Sequence, residues 1–104
     1  MTVLLTQDLP VRREDVEAVS AELGVRENPP AGLIVHVFTV TPEGVHVVDV
    51  WESADHYYRF QRERLMPALG KVMAERGVPM EGAPPEPVFT EAFDLVTGHA
   101  PHSG

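Results

Sequence analysis

The succession of apolar patterns predicts an α+β domain of the ferredoxin-like β-α-β-β-α-β kind, a single antiparallel sheet with both helices on one face. Three observations predict it. Runs rich in valine and other β-formers stand near the start, twice in the middle and near the end of the chain, and two stretches of helical periodicity separate them. The two central runs are joined by Thr41-Pro42-Glu43-Gly44, with proline and glycine where a tight turn places them.

The first strand is expected over residues 2–7. A helix follows over residues 13–23: Val16, Val19 and Leu23 recur at three- and four-residue spacing, Glu14 and Asp15 sit in the first turn, and Gly24 supplies the stop. Residues 26–31, with Pro29 and Pro30, form a loop that feeds the hairpin. If Thr41 and Gly44 close its turn, paired residue numbers sum to 85. His36 then stands opposite Asp49, and Ile34 opposite Trp51. Side chains alternate along a strand, so one face carries Ile34, His36, Phe38, Val40, Val45, Val47, Asp49 and Trp51. Ser53 is a good N-cap for a second helix, whose inward stripe is Tyr57, Phe60, Gln61, Leu65, Leu69, Val72 and Met73. Pro67 interrupts that helix and predicts a kink or a fresh start, and Gly77 ends it. Residues 78–87 are expected to be a loop, residues 88–97 the last strand, and residues 98–104 a loose tail beyond a single domain of residues 1–97.

The helices cover one sheet face, yet the other face of the hairpin, with Val35, Val37, Val48 and Val50, is apolar too. A solvated sheet face alternates to polar residues, so this one predicts a partner. A second copy is the simplest, packed sheet on sheet as a homodimer.

Composition narrows the function classes. The formal net charge of −8 disfavours nucleic acid and anionic membrane surfaces as partners. Arg59, Arg62 and Arg64 cluster, but among acidic neighbours they read as a solvated helix face. With no cysteine, disulfides, thiolate catalysis and Cys-ligated metals are excluded. The N-terminal residues lack the basic segment of a signal peptide, and no apolar run approaches the ~20 residues that cross a bilayer, so a cytoplasmic location is expected.

His36 beside Asp49 is the one constellation with evident chemistry. The carboxylate would fix the tautomer of the imidazole, which would serve as general base or acid toward an enolisable or phenolic substrate. A purely structural pair, two buried polar groups satisfying each other, is the alternative. Trp51, Phe38, Tyr57 and Phe60 would wall an aromatic substrate site, or else simply fill the core. Tyr57 rather than Tyr58 is expected to point inward, because adjacent residues lie roughly 100° apart on a helix. His36, His46 and His56 lack metal-ligand spacing, and His46 falls on the other sheet face, so no metal site is expected. Neither a glycine-rich phosphate loop nor a nucleophile elbow is present, and no cofactor is expected.

A chain of this order and length, with an apolar outer face and Asp49-Val50-Trp51-Glu52-Ser53 leading into an aromatic helix, resembles the dimeric α+β barrel superfamily. Within it, the antibiotic-biosynthesis-monooxygenase-like group is the most similar. The resemblance spans roughly residues 2–97. It implies a homodimer with a pocket between sheet and helices, used on aromatic, quinol or polyketide-like substrates without metal or flavin, as a monooxygenase or a cyclase. Where that group commonly has a histidine on the second helix, this chain has Phe60 followed by Gln61. The asparagine that the haem-cleaving branch uses on its first strand has no counterpart among Leu4, Thr6 and Gln7. Three functional classes follow: a cofactor-independent enzyme in which His36 and Asp49 supply the acid–base chemistry, a dimeric protein that binds such a molecule without turning it over, or a purely structural dimerisation module.

Overall fold

The computed structural model describes residues 1–77 and 85–98. The elements come in the expected order: β1 (Val3–Leu9), α1 (Arg13–Leu23), β2 (Leu33–Thr41), β3 (Gly44–Trp51), α2 (Ala54–Phe60), a π-helical turn (Gln61–Leu65), α3 (Met66–Glu75) and β4 (Val88–Glu91). The strands form one sheet in the order β2-β3-β1-β4, with each neighbouring pair antiparallel. This is the ferredoxin-like arrangement, with β2 and β4 at the edges. Val3, Leu5, Val45, Val47 and Trp51 rise from one face of the sheet and meet Val16 of α1 and Tyr57, Tyr58 and Phe60 of α2. Leu5 and Trp51 are the most completely buried large side chains. Each such burial stabilises the fold by roughly 1.5–3 kcal/mol.

The turn fixes the hairpin as expected over most of its length. Thr41 pairs with Gly44, Phe38 with Val47, His36 with Asp49 and Val35 with Val50. At the far end the expectation fails: Leu33, not Ile34, stands opposite Trp51, because a bulge lies between Leu33 and Val35. The extra residue lets Leu33 and His36 both face the helices although they are three apart, and it leaves Ile34 out of the ladder. Leu33 packs on the core cluster, which is what holds the bulge in place.

Two strand limits differ from expectation. β1 runs on to Leu9, since Asp8 and Leu9 pair with His46 and Val45 of the long β3. β4 stops at Glu91 rather than at residue 97. Its partner among the described residues, β1, starts at Val3, and the Ala92 N–H bond to the Thr2 carbonyl (3.0 Å) continues the contact. Most of the expected loop (residues 78–84) and of the tail (residues 99–104) lies outside the described residues; residues 85–87 are irregular.

The helix ends follow local chemistry. Gly24 adopts φ 63° and closes α1 with its N–H on the Ser20 carbonyl. The Ser53 Oγ accepts the His56 N–H at 3.2 Å and caps α2. Pro67 has no N–H to give to the carbonyl four residues earlier. The backbone resolves this with one wide turn, in which the Met66 N–H reaches the Gln61 carbonyl, and α3 begins with proline in its first turn, where a missing donor costs nothing. Arg64, on that wide turn, is not the solvated arginine expected. Its Nη2 donates to the Leu23 carbonyl (3.0 Å) and the Asn28 carbonyl (2.9 Å), tying the end of α1 and the loop after it to the second helical segment.

Candidate active site

Asp49 and Trp51 are two apart on β3 and therefore share the helix-facing side of the sheet. Asp49 is 5% exposed, and both of its carboxylate oxygens are engaged. Oδ2 accepts the Trp51 Nε1–H at 3.1 Å, and Oδ1 lies 2.6 Å from His36 Nδ1 on the neighbouring strand. An ionised carboxylate only accepts, so Nδ1 carries a hydrogen and the ring is held in one tautomer. Nε2 then points away from Asp49 and bonds to none of the described residues. The His36 side chain is 31% exposed, against 7% for Asp49. The pair thus has a buried anionic end and an accessible imidazole end.

Phe38, two residues along β2, meets the His36 ring edge to face with centroids 4.2 Å apart. Beyond Asp49, Trp51 packs against Tyr57 (5.7 Å) and Phe60 (5.6 Å). Tyr57 is the buried tyrosine of the adjacent pair, and burial, followed by the negative charge of Asp49, pushes its phenol up to about 12. It is therefore neutral at physiological pH.

The structure brings His36, Asp49, Trp51 and Phe38 together. Tyr57 and Phe60 lie behind Trp51, in the core. The space between sheet and helices here is filled by Trp51 and Tyr57 themselves, and accessible surface begins only at β2, where His36 is joined by the exposed Phe38 and Val40. Two shallow open depressions, of about 290 and 420 Å³, lie away from this site along α1 and α3, beside Leu23, Arg64 and Lys71 and beside Ala18, Val72 and Arg76. Among the described residues no three histidine or acidic side chains converge as metal ligands would.

Three arrangements were missed from the sequence. Phe89 on β4 packs against Tyr57 (5.8 Å) and Tyr58 (5.7 Å). His56 stacks over Gly32, whose φ of 89° and lack of a side chain admit the ring, while His56 Nδ1 lies 2.7 Å from the Ser53 hydroxyl. On the opposite sheet face, His46 Nδ1 lies 2.7 Å from Asp8 Oδ1. The register between β1 and β3 would have revealed this last pair, but no turn joins those strands to announce it.

An antiparallel sheet in this order, roofed on one side by helices, defines a class of fold. The chain has the fold of the antibiotic-biosynthesis-monooxygenase-like proteins of the dimeric α+β barrel superfamily. A Caulobacter crescentus protein whose name places it with those monooxygenases is 25% identical, with 89% of each chain covered and a TM-score of 0.56. A similarly named protein from Chloroflexus aurantiacus is 18% identical over 96% of this chain and 98% of its own (TM-score 0.54). SnoaB, a cofactor-independent oxygenase from Streptomyces nogalater, is 14% identical over 91% and 94% (TM-score 0.54). No family model and no curated protein matches the sequence. No helix among the described residues is long and apolar enough to cross a membrane.

Proposed function

We propose that this chain is a cofactor-independent enzyme, monooxygenase-like or cyclase-like, acting on an aromatic, quinol or polyketide-like small molecule in the cytoplasm. One observation carries the proposal: the buried Asp49 carboxylate orients His36 so that Nε2 is free at an apolar, accessible surface. His36 Nε2 takes the proton of a phenolic or enolisable substrate lying against Phe38, with Trp51 and Asp49 holding the imidazole in place. The resulting resonance-stabilised anion either closes a ring by attacking a carbonyl of the same molecule or gives its electrons to dioxygen. In the second route one oxygen atom stays as a carbonyl and the other leaves as water. That SnoaB is a cofactor-independent oxygenase supports the second route.

The partner in this proposal is a second copy, docked through the helix-free sheet face. Light scattering at micromolar concentration is its direct check, and a persistent monomer overturns it.

The test of function is oxygen uptake and product analysis with a panel of hydroxyanthrones and hydroquinones. The parent chain is expected to turn over at least one of them, with a loss of about 100-fold or more in His36→Gln, in line with general acid–base catalysis. Unchanged turnover in His36→Gln overturns the role of His36. The second reading, binding without turnover, is favoured by the burial of Trp51 and Tyr57, which leaves the site open rather than enclosed. Quenching of Trp51 fluorescence by the panel without any turnover would establish it.

A further inference from the structure

The helix-free face of the sheet is built almost without charge. By the strand registers, every outward position on the four strands is valine, leucine or threonine except Gly44 at the turn and two polar residues, Asp8 and His46. Asp8 and His46 are register partners on β1 and β3 and bond to each other at 2.7 Å. From β2, the residue opposite His46 is Thr39, whose hydroxyl donates to the His46 carbonyl at 3.4 Å. Asp8 is thus the one ionisable group that the flanking strands turn toward this imidazole. Asp8 is 85% and His46 33% exposed, so in the single chain both reach water.

We propose that this face receives a second copy of the chain and that the Asp8–His46 couple makes the association pH-dependent, tighter as pH falls. The proposal rests on the homodimer reading above and adds to it a titrating element. A second copy is the occupant that this surface fits. It presents the same neutral valine and threonine face, so a two-fold pairing leaves no charge unmatched beyond the couple itself. The surface offers nothing for an ionic partner to grip.

The direction follows from the charges. When the imidazole is neutral, each copy carries one uncompensated Asp8 charge into the contact, which costs desolvation, and two chains of net charge −8 repel. When the imidazole is protonated, the couple is neutral overall and its bond is charge-assisted. A dimer that favours the protonated couple holds more protons than two separate chains, and by linkage its dissociation constant falls as pH falls.

Sedimentation equilibrium of the full chain at pH 6 and pH 8, at fixed ionic strength, tests this. The dissociation constant is expected to be about tenfold lower at pH 6. His46→Gln keeps a neutral donor for Asp8 and is expected to lose most of that difference. Asp8→Asn is expected to reverse its sign, since a lone imidazolium then enters the contact at low pH. A dimer whose pH dependence is the same in His46→Gln as in the parent overturns the inference and leaves the dimer standing. A monomer at both pH values up to about 100 μM overturns the dimer and the inference together.

Discussion

Replacing Asp49 by alanine strips the acceptors from two donors at once. The His36 ring is partly exposed and turns to water, so its loss is small. The Trp51 indole is 1% exposed and has no such escape. Its Nε1–H is left buried without a partner, at a cost of about 1–3 kcal/mol, and the cavity left by the carboxylate adds to that. Removing a buried charge returns part of the sum. The net expected destabilisation is roughly 2 kcal/mol, which for a domain of this size lowers Tm by roughly 8–16 °C. Trp51 is the single tryptophan, so urea unfolding followed by its fluorescence reports the site and the fold in one measurement. Asp49→Asn behaves differently. The amide oxygen still accepts from the indole, which turns the NH2 group toward His36 and forces Nδ1 to become the acceptor. Stability falls by only about 1 kcal/mol, while the proton moves to Nε2 and the proposed base would be lost. An Asp49→Ala variant within about 0.5 kcal/mol of the parent would refute the bonding of Asp49 to Trp51 in solution.

The remaining predictions concern the surroundings of this site. Tyr57 ionises at about 12 rather than 10.0. The folded state therefore holds the phenol proton more tightly than the unfolded chain, and this contribution to stability is complete below pH 10.0 and lost between there and about 12. Tyr57→Phe should remove that alkaline decline, as read from urea midpoints at pH 9 and pH 11. Gly32→Ala places a Cβ 2.4 Å from the His56 ring at a φ of 89°, and a loss of about 2 kcal/mol or more is expected by the same unfolding assay. Ser53→Ala removes the cap of α2 and the hydrogen bond to His56, with an expected cost of about 1 kcal/mol.

How far the fold was legible depended on how local its causes were. A short turn with proline and glycine sets the register of the strands it joins, so the His36–Asp49 pairing followed from arithmetic along the hairpin. The bulge at Ile34 did not, because it depends on Leu33 reaching the core and on His56 lying over Gly32, residues far apart in the chain. Arg64 read as a surface charge because its two acceptors are carbonyls 41 and 36 residues away, and a carbonyl leaves no mark on composition. Trp51, Tyr57 and Phe60 were legible as an aromatic group between the sheet and the helices. Whether such a group lines a chamber or fills one is decided by how the helices settle on the sheet, which spacing alone does not encode.

β2 has a consequence for the life of the chain before it is folded. It is the outer strand of the sheet, Leu33–Thr41, with the sequence LIVHVFTVT and no lysine, glutamate or proline to discourage another strand from adding to it. Only the bulge at Ile34 and the imidazole of His36 interrupt an otherwise uniform β-forming edge. Changing His36 to valine would leave a nine-residue segment without a single ionisable group, the composition from which cross-β aggregates grow. Such a variant is expected to accumulate in inclusion bodies, whereas His36→Gln should stay in solution. The histidine proposed above as a base is thus also the one ionisable residue on this edge strand.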